Sequence, residues 1–264
     1  MKYEYIDTHS HLNLNHFDND RDDIAQLCAE KSVVTITIGT NLDDSKLAVE
    51  LADKHDNLYA IVGIHPTEVG KVGEIEPHSL EKLLNNPKVV GIGECGLDYF
   101  RCPPEMYEKQ ETVFRSQLDL ATENDLPVML HVRPSQGSMD AYIDVLKILS
   151  EYKKQHGDML RGQAHFFVGT ADIAQQFIDL GFYISFTGVI TFTYDYNDVI
   201  KMVPGDKILS ETDSPFVAPV PYRGKRAEPW QVISVVEKIA EIRDQDLETT
   251  KKQLMDNAKE LYKV

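Results

Sequence analysis

What most limits the fold of this chain is a regular alternation of two hydrophobic periods. Short apolar, β-branched runs of strand length recur, with longer stretches of helical period between them. The strand candidates are residues 3–9, 33–40, 58–65, 88–94, 127–131, 163–167, 182–186 and 207–213. The helix candidates are 18–31, 42–54, 77–85, 104–124, 138–154, 171–180 and 196–202, with two more at 229–243 and 247–262. Pro127 is expected to stop the long helix, Gly181 to cap the end of another, and Thr170 or Asp172 to cap its start. About eight strands, each followed by a helix, predict an α/β fold: a single (β/α)8 TIM barrel, with a doubly wound sheet as the competing arrangement. At 264 residues, 42% hydrophobic and 27% charged, the chain suits one such domain over residues 1–264, and no linker or repeat divides it.

The residues able to hold metal fall at one end of these strands. His9 and His11 close the first, two positions apart and so aimed to one face. His65, Glu94, His131 and Asp213 close the third, fourth, fifth and eighth, and His165 lies on the sixth. In a barrel the C-terminal strand ends carry the active site. Imidazoles and carboxylates without a thiolate suit Zn, Mn, Ni or Mg. The donors exceed the needs of one tetrahedral ion, which points to a binuclear site holding two divalent metal ions, with Glu94 as the best bridge. Two ions some 3.5–4 Å apart imply hydrolysis by an activated water.

Other features bound the function. No apolar run approaches a membrane span, and Lys2 is followed by polar and acidic residues rather than by a signal segment. Three cysteines without zinc-type spacing suit a reducing cytoplasm, and Cys95, beside Glu94, points to the opposite face and is not read as a nucleophile. A net charge of −16 argues against a general nucleic-acid coat but leaves room for a nuclease with a local basic patch. His16, His55, His78 and His156 fall in loops or helix ends and are read as ordinary surface groups, and residues 18–23 as a solvated helix start. The stretch Pro219-Val220-Pro221-Tyr222-Arg223-Gly224-Lys225-Arg226 clusters three cations beyond Asp213, and its position suggests phosphate binding.

These residues resemble those of the TatD-related metal-dependent deoxyribonucleases of the amidohydrolase superfamily. The likeness runs nearly end to end: Asp7-Thr8-His9-Ser10-His11-Leu12, Gly63-Ile64-His65-Pro66, Gly91-Ile92-Gly93-Glu94-Cys95-Gly96-Leu97-Asp98-Tyr99, His131-Val132-Arg133, His165 to Gly169, Glu211-Thr212-Asp213-Ser214-Pro215, Arg223 to Arg226, and Asn257. The resemblance implies one metal position made by His9, His11, Glu94 and Asp213 and another by Glu94, His131 and His165. It implies catalytic roles for Glu94 and Asp213, and substrate contacts from His65, Tyr99, Arg133, Arg223, Lys225 and Arg226. It further implies hydrolysis of DNA, often from the 3′ end, with DNA ends or single strands as substrate and no stable protein partner. There are two departures: the stretch Arg133 to Ser138 is longer than the usual turn, which bears on substrate preference, and Phe166 and Val168 flank His165, without removing it, where a cysteine and a serine or threonine are common. A hydrolase of a small amide, lactone or phosphoester is the alternative reading.

Overall fold

The computed structural model describes residues 3–70 and 77–264. Eight strands form one parallel sheet in sequence order: β1 (Tyr5–Ser10), β2 (Val33–Ile38), β3 (Leu58–Val62), β4 (Val89–Asp98), β5 (Val128–Arg133), β6 (Gly162–Ala164), β7 (Tyr183–Phe186) and β8 (Ile208–Ser210). Backbone bonds join its two edges, from Asp213 N–H to the His9 carbonyl (2.9 Å) and from His11 N–H to the Ser214 carbonyl (2.8 Å). This is the expected TIM barrel rather than a doubly wound sheet. The helices between strands are α1 (Arg21–Glu30), α2 (Leu42–Lys54), α3 (Glu81–Leu84), α4 (Tyr107–Glu123), α5 (Asp140–His156), α6 (Ala171–Asp179) and α7 (Asn197–Met202). After β8 come α8 (Val232–Arg243) and α9 (Leu247–Tyr262). None is long and apolar enough to cross a membrane among the described residues.

Local chemistry sets several boundaries. Asn41 caps α2 by accepting from the Asp43 and Asp44 amides, both at 3.0 Å, and Thr170 rather than Asp172 caps α6 by accepting from Ile173. Gly181 follows α6 with φ of 89° and donates to the Ile178 carbonyl, as a C-terminal glycine does. Pro127 does not stop α4. The helix ends earlier, where Asn124 donates its side chain to the Leu120 carbonyl and Asp125 turns to φ of 52°. The expected helix at 77–85 is a 3₁₀ turn running into the single turn of α3.

The largest differences from expectation lie at the rim. β4 continues past Glu94 to Asp98, whereas β3, β6 and β8 stop short, leaving His65, His165 and Asp213 just beyond the ladder. Freed from strand pairing, the chain can turn these side chains inward, and Asp213 has φ of 56°. Beneath the rim, Ile6, Ile36, Ile61, Met129 and Leu209 pack with Met255, Leu261 and Tyr262 of α9. The Tyr262 hydroxyl reaches Gln163 on β6, which also bonds side chains from β1 and β7. Such convergence occurs only inside a barrel, so α9 closes the end opposite the site.

Gly96 tests how closely β4 and β5 must approach. It pairs with His131 at φ of 139°, and a Cβ there would overlap the His131 carbonyl oxygen. Gly96→Ala should cost about 3 kcal/mol or more in urea unfolding. Gly224→Ala, at φ of 82° with no atom within 4 Å of the added Cβ, should cost only about 1–2 kcal/mol. Equal costs would show that backbone conformation, not the β4–β5 approach, selects glycine at Gly96.

Candidate metal centre

At the C-terminal ends of the strands, β1 brings His9 and His11 together with their Nε2 atoms 3.1 Å apart. The His11 Nδ1 lies 3.0 Å from the Ile38 carbonyl, which can only accept, so the proton sits on Nδ1 and the Nε2 lone pair faces the cavity. Glu94 Oε2 is 3.5 and 3.6 Å from these two nitrogens, and Asp213 Oδ1 is 3.6 and 3.5 Å away. A tetrahedron with ligand bonds of about 2.1 Å has edges of about 3.4 Å, close to the separations of His9, His11 and Asp213, which cluster as a group able to hold one divalent ion, with Glu94 Oε2 at similar distances from both imidazoles.

The other Glu94 oxygen faces a second set. Its Oε1 lies 2.7 Å from His131 Nδ1 and 3.1 Å from His165 Nε2. Each of these rings is held from behind by a carboxylate: His165 Nδ1 by Glu211 at 3.2 Å, and His131 Nε2 by Asp98 at 3.0 Å. Such outer partners orient metal-binding imidazoles and raise their basicity. Glu211 is itself held by Gln163, Ser185 and the Phe166 amide. Asp98 accepts from the Phe100 and Arg101 amides. In sequence both acids lie within the family-like motifs without a role of their own. The one signal available was position, Glu211 two residues before Asp213 and Asp98 four after Glu94. Asp7 completes the frame by accepting from the amide and hydroxyl of Thr212, which ties β1 to the segment carrying Glu211 and Asp213.

Burial raises the cost of every charge here, and the charges answer by alternating. Burial alone would push Glu94 and Asp213 up, but the surrounding imidazoles hold both carboxyls below their usual range, Glu94 well below. Burial opposes protonation of His165, yet Glu211 and Glu94 raise it well above the ordinary histidine value; Asp98 and Glu94 similarly raise His131, and Asp213 and Glu94 raise His11. His9, buried and stacked on His165 with centroids 3.7 Å apart, is lowered. Protons on these rings balance the carboxylates as cations would, so uptake of metal must release them.

His65 stands apart. Burial and the neighbouring His131 lower it to about 3, so it stays neutral. The Thr67 amide can only donate, and it meets His65 Nδ1 at 3.1 Å, so the ring proton is on Nε2, 3.6 Å from Glu94 Oε1. Although His65, Glu94 and His131 cluster closely enough to suggest a metal group, His65 in this tautomer donates rather than ligates.

The expected substrate contacts divide. His65 and Arg133 line a cavity of about 710 Å³ above Glu94, together with Phe166 and Val168, the two departures beside His165, and with Arg101, which nothing in the sequence marks out. Tyr99 does not line it: its hydroxyl donates to Asp144 and its ring stacks on Tyr107 at 3.7 Å. Arg223, Lys225 and Arg226 do not line it either. Arg226 is committed to a two-bonded pair with Asp20 and to Glu228 and the His16 carbonyl, and Arg223 donates to the Ala218 carbonyl over the Phe192 ring. Proximity to Asp213 in sequence does not set the direction of the loop, and the pairing with Asp20 does. Cys95 is buried against Met129 with its thiol pushed up by burial, in keeping with its reading as inert. His55 pairs with Asp22, and the reading of the His78 side chain lies outside the described residues.

Glu211→Gln isolates the outer layer. The amide cannot supply the negative charge, so His165 in the metal-free protein should titrate at lower pH by NMR. Affinity for the ion between Glu94, His131 and His165 should fall about 10–100-fold in a metal titration, with the fold retained by circular dichroism. Unchanged affinity and an unmoved His165 titration would remove Glu211 from the site.

The sequence profile of the TatD-related DNases matches residues 6–263. The chain is 36% identical to the uncharacterized metal-dependent hydrolase YabD of Bacillus subtilis, covering 98% of this chain and 99% of that protein. The crystal structure of YjjV, a TatD homologue of Escherichia coli, superposes with a TM-score of 0.90 at 29% identity, with both chains covered completely. That of a TatD-family hydrolase from Entamoeba histolytica, 22% identical, shares the fold at a TM-score of 0.83 over 99% of each chain. Matched from end to end in sequence and in fold, this metal-dependent hydrolase belongs to the TatD-related DNase family.

Proposed function

We propose that the protein hydrolyses DNA phosphodiester bonds, working from 3′ ends, with two divalent ions. The observation that carries this reading is Glu94, whose two oxygens face two separate sets of donors. His9, His11 and Asp213 would complete one position, and His131 and His165 the other. When bound, two such ions lower the pKa of a shared water and neutralise the attacking and leaving oxygens of a phosphodiester. The family's name supplies the preference for DNA, and the 3′ direction follows the resemblance.

The protein's own groups then have separate tasks. Asp213 directs Oδ1 at the two imidazoles of β1 and keeps its second oxygen to accept a proton from the attacking water. His65, neutral and carrying its proton on Nε2, donates a hydrogen bond to a non-bridging phosphate oxygen. Asp98 and Glu211 hold His131 and His165 in register, so little reorganisation is needed as charge builds on the phosphate. A small amide or lactone could use the same donors, but it would leave the cationic side of the cavity without a partner.

Stripping metal with a chelator should abolish cleavage of end-labelled single-stranded DNA, and adding back Mn, Mg, Zn or Ni singly should restore it with one of them, giving a ladder from the 3′ end. Hydrolysis confined to small amides or lactones would sink the DNA reading. Glu94→Gln should lower metal content at both positions and reduce turnover more than about a hundredfold. In contrast, His9→Ala with His11→Ala should empty one position and leave the other, so elemental analysis should still find an ion. Loss of all metal in that double variant would show that the positions do not form independently.

A further inference from the structure

We infer that Arg101, Arg133 and Phe216 form a strand-binding subsite, in which an unpaired base lies on Phe216 and a neighbouring phosphate is held by the two arginines. This rests on the nuclease reading and names the part of its substrate that a small molecule would lack.

The cavity above Glu94 has unlike walls. On the side of β4 and β5 stand Arg101 and Arg133. Arg101 is anchored by its backbone, whose amide donates to Asp98 at 2.7 Å, while its side chain is exposed. The Arg133 guanidinium lies 4.4 Å above the ring of Phe100, itself 54% exposed. Stacking of this kind fixes the plane of the fork and leaves its N–H edges free to donate. Neither side chain has an ion pair among the described residues. The other arginines are engaged within the chain: Arg21, Arg115, Arg161 and Arg226 pair with carboxylates, and Arg223 and Arg243 donate to backbone carbonyls. In a chain of net charge −16, two unpaired guanidiniums facing one cavity mark a site for an external anion.

The opposite wall carries Phe216, which is 45% exposed yet lines the cavity. A turn fixes it three residues past Asp213, its amide donating to the Asp213 carbonyl at 2.9 Å, and its ring centroid lies 6.2 Å from that of His11. The flat apolar face is therefore held beside the proposed metal ligands. Every nucleobase offers a π-face for such a surface, but a base inside a duplex has both faces covered by its neighbours. A platform beside the reacting phosphate thus selects a single strand or a frayed end, and the arginines on the far wall require a second phosphate.

The test compares the full chain, Arg101→Gln with Arg133→Gln, Phe216→Ala and Phe216→Trp, each loaded with Mn and checked for metal content. The substrates are a labelled single-stranded oligodeoxynucleotide, the same strand abasic at its terminal nucleotide, and bis(p-nitrophenyl) phosphate. In the double arginine variant, kcat/KM should fall about tenfold more on the strand than on the small diester. Anisotropy of the labelled strand with metal-free protein should show a salt slope smaller by roughly 0.7, for one phosphate no longer neutralised on a single strand. Phe216→Ala should lose about tenfold on the normal strand and nothing further on the abasic one, with Trp restoring the loss. Equal losses on strand and small diester, an unchanged salt slope, or a Phe216→Ala defect that persists on the abasic strand would overturn the subsite. Wild-type protein that hydrolyses the small diester and leaves DNA intact would overturn the nuclease reading and this one with it. DNA cleavage that all the variants retain would overturn the subsite alone.

Discussion

The open end of this barrel depends on the burial of one carboxylate among imidazoles. Glu94 is 3% exposed, and an isolated charge there would cost several kcal/mol even after relaxation. Imidazoles from β1, β5 and the segments after β3 and β6 surround it, and Asp213 adds a second negative charge. Protonation is unevenly favoured across them: the carboxylates favour it at His11 and His131, while burial disfavours it at His9 and His65. Divalent cations held between the donor sets would neutralise the same carboxylates and so relieve the cost of burying them.

The constraint propagates downward as hydrogen bonds. Tyr262 of α9 donates to Gln163 at 2.8 Å, Gln163 donates to Glu211 at 2.7 Å, and Glu211 holds His165, which faces Glu94. A polar chain thus runs from the helix closing one end of the barrel to the candidate metal centre at the other. Each member is buried and has a partner, so the network is rigid where a half-satisfied one would be costly. Asn257, quoted within the resemblance, serves the same closure by donating to the Gly205 and Ile208 carbonyls beside β8.

Charge is distributed in keeping with this. The net charge of −16 repels a polyanion in general, so affinity for a nucleic acid must come from a small number of contacts at the site. Arginines away from the cavity are tied into the scaffold: Arg226 braces the loop after β8 against Asp20, and Arg243 donates to the Ile200 and Val203 carbonyls. The basic stretch that stands out in sequence is therefore largely structural.

By itself the sequence determined a packed β/α arrangement, because strand and helix periods alternate throughout; closure as a barrel rather than a doubly wound sheet was decided by the backbone bonds that join the chain after β8 to the end of β1. The sequence also confined the candidate ligands to one rim, because spacing at the end of β1 and placement near strand ends put His9, His11, Glu94, His131, His165 and Asp213 there. Only tertiary structure decided how each is held. Glu211 and Asp98 read as ordinary acids until chain folding brings them to 3.2 and 3.0 Å from the backs of His165 and His131. The proton on His65 Nε2 is fixed by an amide two residues along that turns toward Nδ1, a matter of loop geometry. The fates of Arg226 and Arg101 were reversed for the same physical reason: a carboxylate from a distant segment claims one guanidinium and leaves the other facing the cavity, and pairing across such sequence distances is set by folding rather than by local pattern.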